Sequence, residues 1–288
     1  MPRLIINADD LGLTSGVNRA IEEAGRAGAI TSATLMANSL RFEEAAAMAR
    51  KLPGLKIGCH VVLIDGEPLT RGMPSLTNGT ARFRSSLKDF ALAAMKRWLV
   101  QDEIQREAEA QIRKVQSAGL AATHVDTHKH THMIPHVLLP LVKAAKACGI
   151  STIRNPFEPF RAWPGAVIRK PGLWVRSFEV TLLRKFAKDF LQIIRAEGMS
   201  TTDGTVGIIA TGKLNQALLL RTIQALPEGT WEMVCHPGYM DQDLAAAGTR
   251  LLASRQVELE ALTSAETRNA LARRGVELIS YADLGIGC

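Results

Sequence analysis

A chain of 288 residues with 47% apolar residues can bury a sizeable core in one large domain or two small ones. No window offers the roughly 18 unbroken apolar residues of a membrane span, and the opening MPRLIINADD meets two aspartates too early for a secretory signal. The formal charge of +7 is concentrated between Arg161 and Arg195, where eight basic residues face only Glu179 and Asp189, so an anionic surface is a candidate partner.

Short apolar runs alternate with helical patterns along the chain. LIINAD (4–9) reads as a buried strand, and 18–27 as a helix stopped by Gly28. A strand is expected at 32–38, a helix at 41–51 and a third strand at 55–63. A long charged helix follows at 101–118, then a strand at 122–128 and a helix at 136–148. ISTIRNP (150–156) reads as a fifth strand ended by Pro156. Further strands are expected at 205–211, 231–237 and 276–281, with helices at 213–225 and 249–273. Repeated βα units predict a parallel sheet with helices outside. The expected fold is α/β: a single-domain, TIM-like and irregular (β/α) barrel of seven or eight strands over 1–288. Segments 64–100 and 157–198 break the rhythm and read as insertions that wall the site.

Cys59, Cys148, Cys235 and Cys288 form no CxxC pair, which suits reduced thiols and a cytoplasmic protein. Cys59 and Cys235 each precede a histidine. On a strand, that turns the thiol away from the histidine's face and into the core.

The stretch THVDTHKHTH (123–132) places His124, Asp126, His128, His130 and His132 at every second position. On a strand these five form a polar column on one side. In a parallel barrel, functional residues gather at the carboxyl ends of strands. Asp9 and Asp10, His60, the column, Arg154 and His236 all occupy such places. Singly, each has an ordinary explanation: a strand-end histidine is usually a hydrogen-bonded structural residue, and an Asp-Asp pair a turn or cap. Jointly they bring carboxylates together at a cost that a cation would offset. One carboxylate and two imidazoles form a common catalytic metal set. A second carboxylate serving as base and a histidine as acid would complete a site for amide or ester hydrolysis.

NADDLG (7–12), GCHVVL (58–63), THVDTHKHTH (123–132), IRNP (153–156) and VCHPGY (234–239), taken in order, resemble the YdjC-like carbohydrate deacetylases, which are related to the NodB-type polysaccharide deacetylases. GCHVVLIDGEPL and IRNPFEPF are most similar to the hopanoid-associated branch called HpnK. The resemblance implies Asp9 as general base, His236 as acid and Arg154 as the arginine holding Asp9. It implies Asp10, His60 and His128 as ligands of one divalent metal per chain. Zinc is the first choice, with magnesium, manganese, iron, cobalt or nickel as alternatives. It leaves His124, Asp126, His130, His132 and Pro156 behind the ligands or facing substrate. The implied substrate is an acetylated sugar or glycolipid, with the N-acetylglucosaminyl headgroup of a hopanoid as the specific expectation and soluble chitooligosaccharides as the alternative.

Two other classes compete. A metal-dependent phosphoesterase usually needs two metals and more ligands. A basic binding protein with a structural metal would close its site with four protein ligands, and no nucleic-acid motif is present, so no nucleic-acid partner is expected. In 171–195, Phe178, Leu182, Phe186 and Phe190 share one helical face, while Arg184, Lys185 and Lys188 spread over the rest. That pattern fits a core-packed outer helix or a peripheral contact at the inner face of the membrane. A homo-oligomer is left open.

Overall fold

The computed structural model describes residues 1–158 and 184–284. Its seven-stranded sheet has the order β4-β3-β2-β1-β6-β5, with β7 paired to β1. The strands are β1 (Pro2–Leu11), β2 (Ser32–Leu35), β3 (Lys56–Val61), β4 (Val125–Thr127), β5 (Gly204–Val206), β6 (Gly229–Cys235) and β7 (Glu277–Leu278). Every ladder is parallel. Leu4, Ile6 and Ala8 of β1 belong to the main buried cluster, while Ile5 packs with Ile279 and Tyr281. Helices cover the sheet, as βα alternation requires.

β1 is the long central strand. It matches β6 from Pro2↔Gly229 to Ala8↔Cys235. On its other side the register with β2 shifts between Ala8 and Leu11. The shift spans Asp9 and Asp10, and Asp10 takes left-handed backbone with φ 66. A bulge of this kind re-aims side chains at a strand end.

Three expected elements are corrected. The strand expected at 150–156 is reduced to isolated bridges, Val125↔Ile153 and Thr152↔Ser200. Pro156 has no N–H to extend the ladder. These bridges nevertheless carry the pairing from β4 toward the chain just before β5, and so curl the sheet. The strand expected at 205–211 stops at Val206, because Gly207 turns the chain at φ 103. The single helix expected at 249–273 is two, Ser254–Thr263 and Ala265–Arg274. Ser264 is extended (φ −65, ψ 151), and its hydroxyl accepts from Thr267 N as the cap of the second helix.

Within 64–100 lie the helices Pro74–Thr77 and Leu87–Met95. The segment is pinned by one side of the helix Gln101–Ser117: Glu103 accepts from Ser75 N and Glu107 from Leu69 N and Thr70 N, while Gln111 accepts from Val62 N just before the segment. Of the basic stretch 171–195, residues up to 183, including Phe178 and Leu182, lie outside the described residues. The helix Ala187–Ala196 buries Phe190 and Ile194 and leaves Lys188 exposed. Cys59 and Cys235 are fully buried, as expected of residues that back strand-end histidines. Among the described residues, no helix is long and apolar enough to cross a membrane.

Candidate active site

At the carboxyl ends of β1, β3 and β4, Asp10, His60 and His128 each offer one ligand atom, and these atoms lie within 4.8 Å of one another. Asp10 Oδ1 is 3.2 Å from His128 Nδ1 and 3.5 Å from His60 Nε2. Two of the remaining atoms of this set are already occupied. His60 Nδ1 lies 2.7 Å from Asp126 Oδ1, which directs its Nε2 toward Asp10. Arg255 Nη2 donates to Asp10 Oδ2 at 2.5 Å. Asp10 and His60 are buried, whereas His128 keeps 20% of its side chain exposed on the open side.

Asp9 points to the neighbouring side of the rim. Arg154 Nη1 and Nη2 donate to its two oxygens at 2.8 and 2.6 Å, a bidentate pair. Asn7 Nδ2 adds a bond to Oδ1 at 2.9 Å. Burial opposes the charge on Asp9, but Arg154 and His60 overcome it and hold the carboxyl far below its usual range. Arg154 is itself fully buried and also meets Asp126 and Glu232, at 2.5 and 2.6 Å.

His236, just past β6, faces Asp9 across 4.0 Å from its Nε2 to Oδ2. Burial pushes this imidazole down to about 4, against the pull of Asp9 and Asp10. Behind it, Glu258 accepts from His236 N at 2.7 Å and lies 3.9 Å from Nδ1. Burial raises the Glu258 carboxyl to about 7.

The five-residue column holds only as far as His128. The next residues leave the strand: Lys129 and His130 take left-handed backbone at φ 56 and 53, within a 3-10 turn. His132 therefore points back to Thr127, whose Oγ1 is 2.6 Å from its Nδ1. The His130 ring lies 6.4 Å from that of His132. His124 stacks on Tyr281 at 3.8 Å and bonds Asn7 Oδ1 at 3.2 Å, so it orients Asp9 through Asn7. Its ring fits because residue 58 is glycine: a Cβ there would come within 2.5 Å of it. Pro156 is buried just beyond Arg154.

Sequence reasoning missed Glu232, Tyr281, Arg255 and Glu258. A lone acid inside the apolar strand WEMVC was a usable signal for Glu232. Arg255 and Glu258 are one turn apart on a helix whose charges look like any solvated face.

The residues suit a divalent cation. Asp9, Asp126 and Glu232 share the one guanidinium of Arg154, while Arg255 meets Asp10, so the buried carboxylates beside the converging Asp10, His60 and His128 atoms outnumber the guanidiniums. Burial works against a proton on His60, yet Asp126, Asp9 and Asp10 raise it to about 9, as expected where positive charge is wanted.

A curled parallel sheet with a carboxylate–imidazole cluster at its strand ends is the frame of many hydrolases. The chain belongs to the YdjC-like protein family, whose model matches residues 3–273. It is 33% identical over 284 residues to a carbohydrate deacetylase of Brevibacillus brevis, covering 98% of this chain and 100% of that one. It is 34% identical over 286 residues to a chitooligosaccharide deacetylase of Serratia marcescens, covering 98% of each. A crystal structure from Enterococcus faecalis V583, named for cellobiose-phosphate cleavage, superposes with a TM-score of 0.79 at 26% identity, covering 98% of both chains.

Proposed function

We propose that the protein is a carbohydrate N-deacetylase, which hydrolyses the acetamide of an N-acetylated amino sugar to acetate and a free amine. The observation that supports this best is the convergence of Asp10, His60 and His128 beside the facing pair Asp9 and His236. Asp10, His60 and His128 would hold one divalent ion, zinc before magnesium, manganese, cobalt or nickel. When bound there, such an ion supplies polarisation of the acetamide carbonyl and acidification of water.

The protein groups divide the proton work. Asp9, kept ionised by Arg154, accepts the proton of the attacking water. Asp9 faces His236 across 4.0 Å and passes that proton to the ring, and the imidazolium so formed donates it to the departing amine nitrogen. Glu258 behind the ring favours the cationic imidazole when it forms. Acetate release from N-acetylated sugars, assayed with and without chelator, tests the proposal. Cleavage of a phosphoester in place of any acetamide would reject it.

The finer substrate reading is the N-acetylglucosaminyl headgroup of a hopanoid. The stretches GCHVVLIDGEPL (58–69) and IRNPFEPF (153–160), similar to the HpnK branch, support it. Soluble chitooligosaccharides are the second reading, favoured by the name of the Serratia marcescens relative. The ratio of kcat/KM for glycolipid and for chitobiose decides between them.

A further inference from the structure

The segment between β3 and the helix Gln101–Ser117 ends in a surface used by neither the core nor the site. The helix Leu87–Met95 buries Phe90, Ala93 and Ala94 on one side. Its other side leaves Leu87, Leu92 and Met95 exposed, and Trp98 follows with 61% of its surface exposed. The way Trp98 is presented is specific. Arg97 adopts left-handed backbone at φ 58, which costs free energy in a residue other than glycine. That turn lets Trp98 N bond Ala93 O at 2.8 Å and throws the indole outward. Lys96 Nζ sits 4.5 Å from the indole centroid. Lys88, Lys96 and Arg97 are all exposed, and Asp89 is the one acid among residues 87–98.

The loop that leads into this helix reaches the mouth of the site. Asp65 N bonds Arg84 O at 2.9 Å, and Phe83 N bonds Gly66 O at 3.0 Å. The carboxylate of Asp65 pairs with Lys129 at 2.5 Å and lies 3.9 Å from His128 Nε2. The helix carrying the patch begins three residues after Arg84.

We propose that this surface docks the protein on an anionic lipid bilayer. Leu87, Leu92, Met95 and Trp98 enter the boundary between headgroups and acyl chains, and Lys88, Lys96 and Arg97 contact lipid phosphates. Aliphatic residues, an outward tryptophan and flanking cations are the composition that sits at a membrane interface. A second copy of the chain is a poorer occupant, because a two-fold contact sets the same patch against itself and opposes like charges. The proposal lies apart from the site chemistry and does not depend on the deacetylase reading.

Co-sedimentation with vesicles of phosphatidylcholine, with and without phosphatidylglycerol, tests it at low salt and without substrate. The wild type is expected to sediment with the anionic vesicles only. A variant with Met95→Ser and Trp98→Ser, and another with Lys88→Gln, Lys96→Gln and Arg97→Gln, should each partition about tenfold or more weakly, since one basic residue accounts for roughly a fivefold change. Both should keep the wild-type melting temperature, because the altered side chains are exposed. Failure of the wild type to bind, or unchanged binding by both variants, would overturn the proposal. So would a wild-type dimer that Trp98→Ser dissociates.

Discussion

Arg255 reaches Asp10 across 245 positions of sequence and occupies its Oδ2 at 2.5 Å, leaving Oδ1 to face His60 and His128. Burial opposes the charge on Asp10, but Arg255 and His128 hold the carboxyl well below its usual range. Arg255→Met removes that cation from a buried carboxylate. The metal-free variant should lose roughly 3–5 kcal/mol of stability. Saturating zinc should then raise its melting temperature more than that of the wild type, because the ion replaces charge that Arg255 no longer supplies. An equal or smaller zinc-induced rise would show that Arg255 does not share Asp10 with a cation.

The metal assignment rests on three side chains from three strand ends. Asp10→Ala, His60→Ala and His128→Ala should each strip the ion and abolish acetate release. Elemental analysis of the purified variants checks this, and full occupancy in all three would remove the assignment.

Asp9 and His236 should separate from the ligands. Asp9→Asn keeps the metal but loses turnover, since an amide cannot accept the water proton. His236→Ala slows turnover by about 10²–10⁴-fold, the usual worth of a general acid. Metal loss from Asp9→Asn together with retention in Asp10→Asn would reverse the two roles.

Arg154 does more than hold Asp9. It also neutralises Asp126 and Glu232 in a fully buried place. Arg154→Ala should therefore unfold at markedly lower denaturant as well as turn over slowly, with a stability loss of about 3–5 kcal/mol. A variant with slowed turnover and wild-type stability would confine the residue to orienting Asp9.

His132 makes a pH prediction. Burial pushes its imidazole from 6.5 down to about 3, with Arg154 adding to the effect. The unfolded chain takes up a proton below 6.5 that the folded protein refuses. Stability from this group is thus complete above 6.5 and falls as the pH drops, by about 2 kcal/mol between pH 6.5 and 5. His132→Gln should flatten that part of the urea-midpoint profile. An unchanged slope would place the lost stability elsewhere.

Much of this arrangement can be read from local pattern. LIINADD announces a buried strand with acids at its end, and GCH and VCHP do the same for His60 and His236. Period two places His124, Asp126 and His128 on one side of β4, but it cannot report where a strand stops. Here the left-handed Lys129 and His130 end it and send His132 back to Thr127. Pairings across the barrel are not written in the local pattern, even where an acid inside an apolar strand, such as Glu232, marks one partner. Glu232 meets Arg154 from 78 residues away, and Arg255 lies on a helix with no distinguishing pattern.

The central claim is most directly tested by acetate release from an N-acetylglucosamine oligomer by chelated and then metal-reconstituted protein, with bound metal counted in the same samples. The predicted result is no acetate after chelation, and recovery in proportion to bound metal up to one ion per chain. Undiminished acetate release from metal-free protein, or none from fully loaded protein on any N-acetylated sugar, would contradict it.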